Sequence, residues 1–196
     1  MARVSTHDEI LRVAADQFAR SGFKGASLQE IAAEVGCSKA TLLYHFATKE
    51  AILLALVAPA SQALAGLVDH LRTLDDTEVQ AAAIDGFVDL VLRFRREVAL
   101  IYHVIPQFLR EPAFVDLRPL TDLLCSAFAG RSGDPADGIA AEVLLAGIAS
   151  VVIDDQRAPD VLRSALAGVA RRALITNVPF TNDPFTNDPF TNDKDR

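Results

Sequence analysis

Cysteine is nearly absent from this chain: two thiols in 196 residues, Cys37 and Cys125, far apart and outside any Cys-x-x-Cys or Cys/His grouping. That scarcity argues against a disulfide framework and a structural zinc site. It fits a reducing compartment, and each thiol reads as a small buried hydrophobe. The four histidines, His7, His45, His70 and His103, are scattered and form no metal-spaced cluster. A glycine-rich phosphate loop is missing, as is a serine or cysteine nucleophile with a recognisable base. No catalytic residue, metal or cofactor is therefore expected, and the chain does not read as an enzyme. No stretch approaches the roughly 20 uninterrupted apolar residues of a membrane span. Arg3, His7, Asp8 and Glu9 interrupt any secretory signal at the N-terminus, so a cytoplasmic location without membrane contact is expected. Period-two alternation is also lacking, which leaves little room for β-structure.

Apolar residues, by contrast, make up 51% of the chain, ample for a folded interior. The net charge of −7 is unevenly spread. Residues 1–50 hold six bases and six acids, and the remainder holds 13 bases and 20 acids. An acidic body with a neutral N-terminal segment would be oriented by a polyanion, the body turned away.

Nearly every segment reads as helix. Thr6 and Glu9 suggest a capping box for the first helix, Ile10, Val13, Ala14, Gln17 (the polar exception) and Phe18 its apolar stripe, and Gly22 its end. Ser27 and Glu30 form a second capping box, with Leu28, Ile31, Ala32 and Val35 facing inward. Gly36 supplies a tight turn, Ser38 caps a short third helix carrying Leu42 and Phe46, and Thr48 caps a fourth. That fourth helix is expected to reach about His70, with Pro59 bending or interrupting it. Thr77 opens a helix with Phe87 and Phe94 on its apolar side, and Arg93 to Glu97 mark an end or a bend. A segment from Val98 to Arg110 contains Pro106 and is closed by Pro112; another helix follows at 116–129, with Pro119 inside. Asp134 and Pro135 suit the cap and first position of a helix over 135–154, apolar nearly all round, and Pro159 starts the last. From Pro179 the pentapeptide Pro-Phe-Thr-Asn-Asp occurs three times. A proline every fifth residue forbids a regular helix, so a flexible or extended appendage is expected.

Residues 27–50 form the strongest signal. Two capped helices separated by a glycine-containing turn are a helix-turn-helix. With Ile31, Val35, Leu42 and Phe46 turned inward over Phe18, the residues Lys39, Ala40, Thr41, Leu43, Tyr44 and His45 are left at or near the outer face. A major groove admits one such helix and is read by residues at its N-terminal end.

This stretch resembles the tetracycline-repressor (TetR) family, whose pattern is matched by Ile31-Ala32, Gly36, Ser38, Thr41-Leu42, His45-Phe46 and Lys49-Glu50. The likeness covers the first quarter of the chain; the rest agrees only in helix order and length. It implies an all-α fold: a three-helix DNA-binding domain at 1–48, a helical ligand-binding and dimerisation domain at 49–176, and a repetitive tail at 177–196. It implies a double-stranded DNA operator as partner, with Ser27 and Thr41 bonding phosphates or bases through their hydroxyls. Ser38 belongs to the same surface, Lys39 would lie on phosphate or a guanine edge, and Tyr44 and His45 would meet the backbone. Lys49 would pair with phosphate at the start of the fourth helix. The sequence departs from the family at Cys37, Ala40 and Leu43, where valine, glycine and tyrosine are usual. The last two place apolar groups where thymine methyls would lie.

Two-fold operators need a two-fold protein, and helices near 135–154 and 159–175 are the expected homodimer seam. A small, largely apolar effector is expected between the middle helices, near Phe87, Phe94, Tyr102, His103 and Phe108, with Asp89, Arg93, Gln107 and Cys125 as polar candidates. The fourth helix would couple pocket to head. Repression relieved by the effector is the expected mode; activation within the same family and an adaptor docking through the repeated tail are the alternatives.

Overall fold

The computed structural model describes residues 5–108 and 117–175, and no strand occurs among them. The helices are α1 (Thr6–Gly25), α2 (Leu28–Val35), α3 (Lys39–His45), α4 (Lys49–Thr73), α5 (Val79–Arg93), α6 (Arg95–Phe108), α7 (Leu117–Phe128), α8 (Pro135–Asp154) and α9 (Pro159–Ile175). The expected all-α architecture is therefore found. The repeated tail and the expected stop at Pro112 lie outside the described residues, as do the side chains of His103, Gln107 and Phe108.

Local chemistry sets most boundaries. Ser27 and Glu30 make both halves of the capping box on α2, and Ser38, Thr48 and Asp134 accept from the backbone at the starts of α3, α4 and α8. Pro135 occupies the first turn of α8, where its missing N–H costs nothing. Four expectations shift. Ser5, not Thr6, caps α1 by accepting from the Asp8 amide, while Glu9 turns to Arg12. Gly22 breaks the helical path of α1 at φ 69°, but one more turn follows to Gly25. Helix α4 runs past His70 to Thr73. Helix α5 starts at Val79, not Thr77, because the Asp75 carboxylate collects the Thr77 and Glu78 amides in a turn ahead of it.

The interior is two apolar clusters joined by α4. One holds Ile10, Val13 and Phe18 of α1, Ile31 of α2, Leu42 of α3 and Phe46, and continues into Ile52, Leu53 and Val57 of α4. The other gathers Val68 and Leu71 from the far end of α4 with Ile84 and Val88 of α5, Phe128 of α7, Ile148 and Val152 of α8, and Leu162 of α9. The head's core thus extends past the division expected at residue 48. Pro59 stands between the clusters. It has no N–H to offer the carbonyl one turn back, and Ser61 bonds its hydroxyl to the Val57 carbonyl at 3.1 Å in the same turn.

Helices α4 and α8 are each long and apolar enough, by length and composition, to cross a membrane, with only 28% and 22% of their most apolar windows buried. On α8 the uncovered part is a stripe: Ile139, Val143 and Val151 are exposed, beside Ala146 and Gly147. Val161 and Val169 continue it on α9.

The turn between α2 and α3 depends on one backbone conformation. Gly36 is left-handed at φ 77°, its amide donates to the Ala33 carbonyl at 3.2 Å, and Cys37 donates back to Ala32 at 3.0 Å. That is a Schellman closure, and a Cβ there is strained by the backbone even though nothing obstructs it. Gly36→Ala is expected to lower stability by about 1–2 kcal/mol, read from urea unfolding monitored by helical circular dichroism.

Candidate nucleic-acid interface

Helix α3 has seven residues, too few to be stable alone, and is held by what it buries. Leu42 is fully buried in the head core and Phe46 nearly so. With Leu42 fixed, Lys39, Ala40, Thr41, Leu43 and Tyr44 all stand exposed, and His45 is half-buried. Tyr44 is 86% exposed and Leu43 42%. Tyr44 meets the edge of His45 at 5.4 Å between centroids, and His7 of α1 packs on Phe46 at 4.9 Å.

The expected contact residues divide into two sets. Lys39 is exposed and makes no hydrogen bond or ion pair among the described residues, so its charge is available. The hydroxyls are partly committed. Ser38 accepts from the Thr41 amide at 3.0 Å and lies 2.8 Å from the Thr41 hydroxyl, so these two act as one unit at the start of α3. Ser27 is drawn into its capping box, its hydroxyl donating to Glu30 at 2.8 Å. Lys49 is turned inward: its ammonium donates to the carbonyls of Phe23 at 2.6 Å and Ala26 at 2.7 Å.

Several other charges on the head pair internally. Arg12 bonds Glu9 and Asp16 along α1. Arg20 and Gln17 of α1 both donate to Glu34 of α2, at 2.9 and 3.0 Å. The Gln17 amide and then Arg20 hold the Glu34 carboxyl below its ordinary value. Gln17, legible only as a polar gap in the α1 stripe, is therefore the buried donor that fixes α2 at its angle on α1. Sequence reasoning missed this partner because nothing local marks a contact 17 residues away.

The body places the expected ligand residues unevenly. Phe87 is half-buried and packs edge-on against Phe128 of the body core at 5.7 Å. Phe94 closes α5 with Arg93 over its ring at 5.1 Å, and Tyr102 is exposed on α6. Of the polar candidates, Asp89 is engaged by Arg163 of α9 in two hydrogen bonds, tying α5 to α9. The Cys125 thiol is pushed up by burial and donates weakly to the Gly138 carbonyl at 3.8 Å. Head and body also touch away from α4: α1 packs on α6, and Leu100 and Ile101 of α6 reach the head core.

A short exposed helix nailed by one leucine onto a three-helix head, carried on a larger helical body, defines a helix-turn-helix protein. Residues 10–56 match the profile described as bacterial regulatory proteins, tetR family, so the reading head of this chain is similar to that family's. It is similar to the HTH-type transcriptional regulator RutR of Escherichia coli (strain K12), 35% identical over 88 residues, or 45% of this chain and 40% of RutR. The chain thus matches well under half the length of that curated relative. It is also similar to the HTH-type transcriptional activator FasR of Mycolicibacterium smegmatis, 26% identical over 164 residues, covering 80% of this chain and 73% of FasR. In fold it matches AibR, solved with isovaleryl coenzyme A and operator DNA, at a TM-score of 0.63 and 24% identity, over 84% of this chain and 97% of that one.

Glu34 supplies a pH signature for the head. Its folded pKa lies below the ordinary 4.5, so the stability it contributes is complete above that value and is lost as pH falls through the lower folded one. Glu34→Gln is expected to flatten this part of the acid limb in thermal melts taken between pH 6 and 3.

Proposed function

We propose that this chain is a homodimeric, ligand-responsive transcription regulator that grips a palindromic DNA operator through α3 and releases it when a small, largely apolar molecule occupies the body. The observation that carries the reading is α3 itself. Water-exposed Tyr44 and Leu43 stand beside Lys39, which pairs with nothing among the described residues, on a helix whose one inward residue is pinned. In a major groove, Lys39 lies on phosphate or a guanine edge, the Ser38–Thr41 pair bonds the backbone, and Ala40 and Leu43 meet thymine methyls. Tyr44 and His45 flank the sugar-phosphate chain. The head is taken as residues 1–57, since Ile52, Leu53 and Val57 complete its core.

The uncovered stripe of α8 and α9 supports dimerisation. Bare valines and an isoleucine aligned over four turns need cover, and Ala146 and Gly147 at its centre admit a close helix crossing. Two copies meeting there present two heads to half-sites about 34 Å apart. An effector that binds better when that spacing is wrong shifts the population off DNA, and a coupling of about 1–3 kcal/mol suffices. Two routes reach the head from the body, α4 and the α6 contact on α1. AibR, solved with an acyl-coenzyme A and operator DNA, supports both a small-molecule effector and a DNA partner. FasR, an activator, favours activation as the second reading of the same site. The relatives regulate transcription, in line with a chain that acts by binding and not by catalysis.

Two measurements test this. DNA selected from a random duplex pool should bind with a salt-dependent affinity, and Lys39→Ala should reduce the slope of log K against log salt by about 0.9 per subunit, about 1.8 per dimer. Failure to bind any duplex at low salt would sink the proposal. Val143→Arg should convert a dimer into monomers in sedimentation velocity at micromolar concentration and weaken operator binding with it; a wild-type monomer would refute the seam.

A further inference from the structure

Lys49 carries an inference that rests on the DNA-binding reading above and goes past it. It stands at the first position of α4, where the resemblance implies a cation for phosphate, yet its ammonium is seated in the protein. It donates to the Phe23 and Ala26 carbonyls and lies 4.5 Å from the centroid of the Phe23 ring. Two of its three hydrogens are spent, and an aromatic face adds to the hold. The carbonyls belong to the last turn of α1, just after the break at Gly22, and to its C-cap Ala26, where helical partners run out. To reach DNA, the side chain would have to surrender two charge-assisted hydrogen bonds already made.

We propose that Lys49 is a positioning residue of the reading head: it fastens the first turn of α4 to the α1–α2 turn, and it makes no phosphate contact. The packing of Phe23 and Ala26 on the head core sets a distance but is non-directional. The two hydrogen bonds add direction. They fix the angle at which α2, and α3 behind it, leaves the axis of α4. A movement of α4 caused in the body then carries the head as one piece.

The test begins with the unaltered full chain, labelled with a water-soluble amine-acetylating reagent and read by mass spectrometry. In the free protein Lys49 is expected to react about tenfold or more slowly than the exposed Lys39, and adding selected operator DNA should protect Lys39 while leaving Lys49 unchanged. Labelling of Lys49 at the rate of Lys39 in the free protein overturns the proposal. This arm needs no DNA, so a protein that binds no duplex defeats the functional reading while the seat of Lys49 is still decided. The second arm uses Lys49→Met, or Lys49→Gln should the first not fold, at a temperature where circular dichroism shows the native helix content. Operator affinity is expected to fall about tenfold with the salt slope of the wild type, and adding Phe23→Leu should weaken it little further, because both act through one clasp. Wild-type affinity with only a lower melting temperature would reduce Lys49 to a stabilising role and refute positioning. A slope smaller by about 0.9 per subunit would reveal a phosphate contact and refute it equally.

Discussion

Everything outward on α3 depends on one inward side chain. Leu42, with no exposed surface, is the fixed point about which a seven-residue helix is oriented; rotate it by one position and Leu43 would turn to the core in its place, carrying the exposed residues round the axis with it. The helix cannot supply that orientation itself, since so short a segment is unstable alone. The Gly36 turn, the Ser38 cap and Phe46 at the far end serve the same purpose, each closing off a rotation or a slide. Glu34, drawing on Gln17 and Arg20, performs the equivalent task for α2 on α1.

The head was the more legible half because its determinants are local. Ser27 with Glu30, Gly36, Ser38 and Thr48 each act within three or four residues, and each is found where its chemistry places it. The capping error at Thr6 arose because Ser5 offers the same hydroxyl one residue earlier. What the sequence hid were contacts between distant residues. Lys49 reads, by resemblance, as a phosphate-binding cation at a helix start; only the folded chain brings the Phe23 and Ala26 carbonyls beneath it. Asp89 reads as a polar lining group until Arg163, 74 residues on, is seen to hold it.

The body was legible in order and type, and much less so in purpose. Its helices begin and end close to the expected places, but apolar side chains such as Phe87 carry no mark in the sequence that separates core from cavity wall; in the fold Phe87 is half-buried and packs edge-on against Phe128. The apolar character of α8 was plain, and the fold shows which side of it is left bare.

The continuation of the head core into Ile52, Leu53 and Val57 has a practical corollary for protein engineering. A chimera that grafts this reading head onto a foreign body by splicing at residue 48 would cut through a hydrophobic core and leave Ile10, Phe18 and Ile31 short of cover. A splice at Pro59, where the hydrogen-bond ladder is already interrupted, would keep Ile52, Leu53 and Val57 with the head and leave the foreign body to replace only the cover given by Leu100, Ile101 and Leu117.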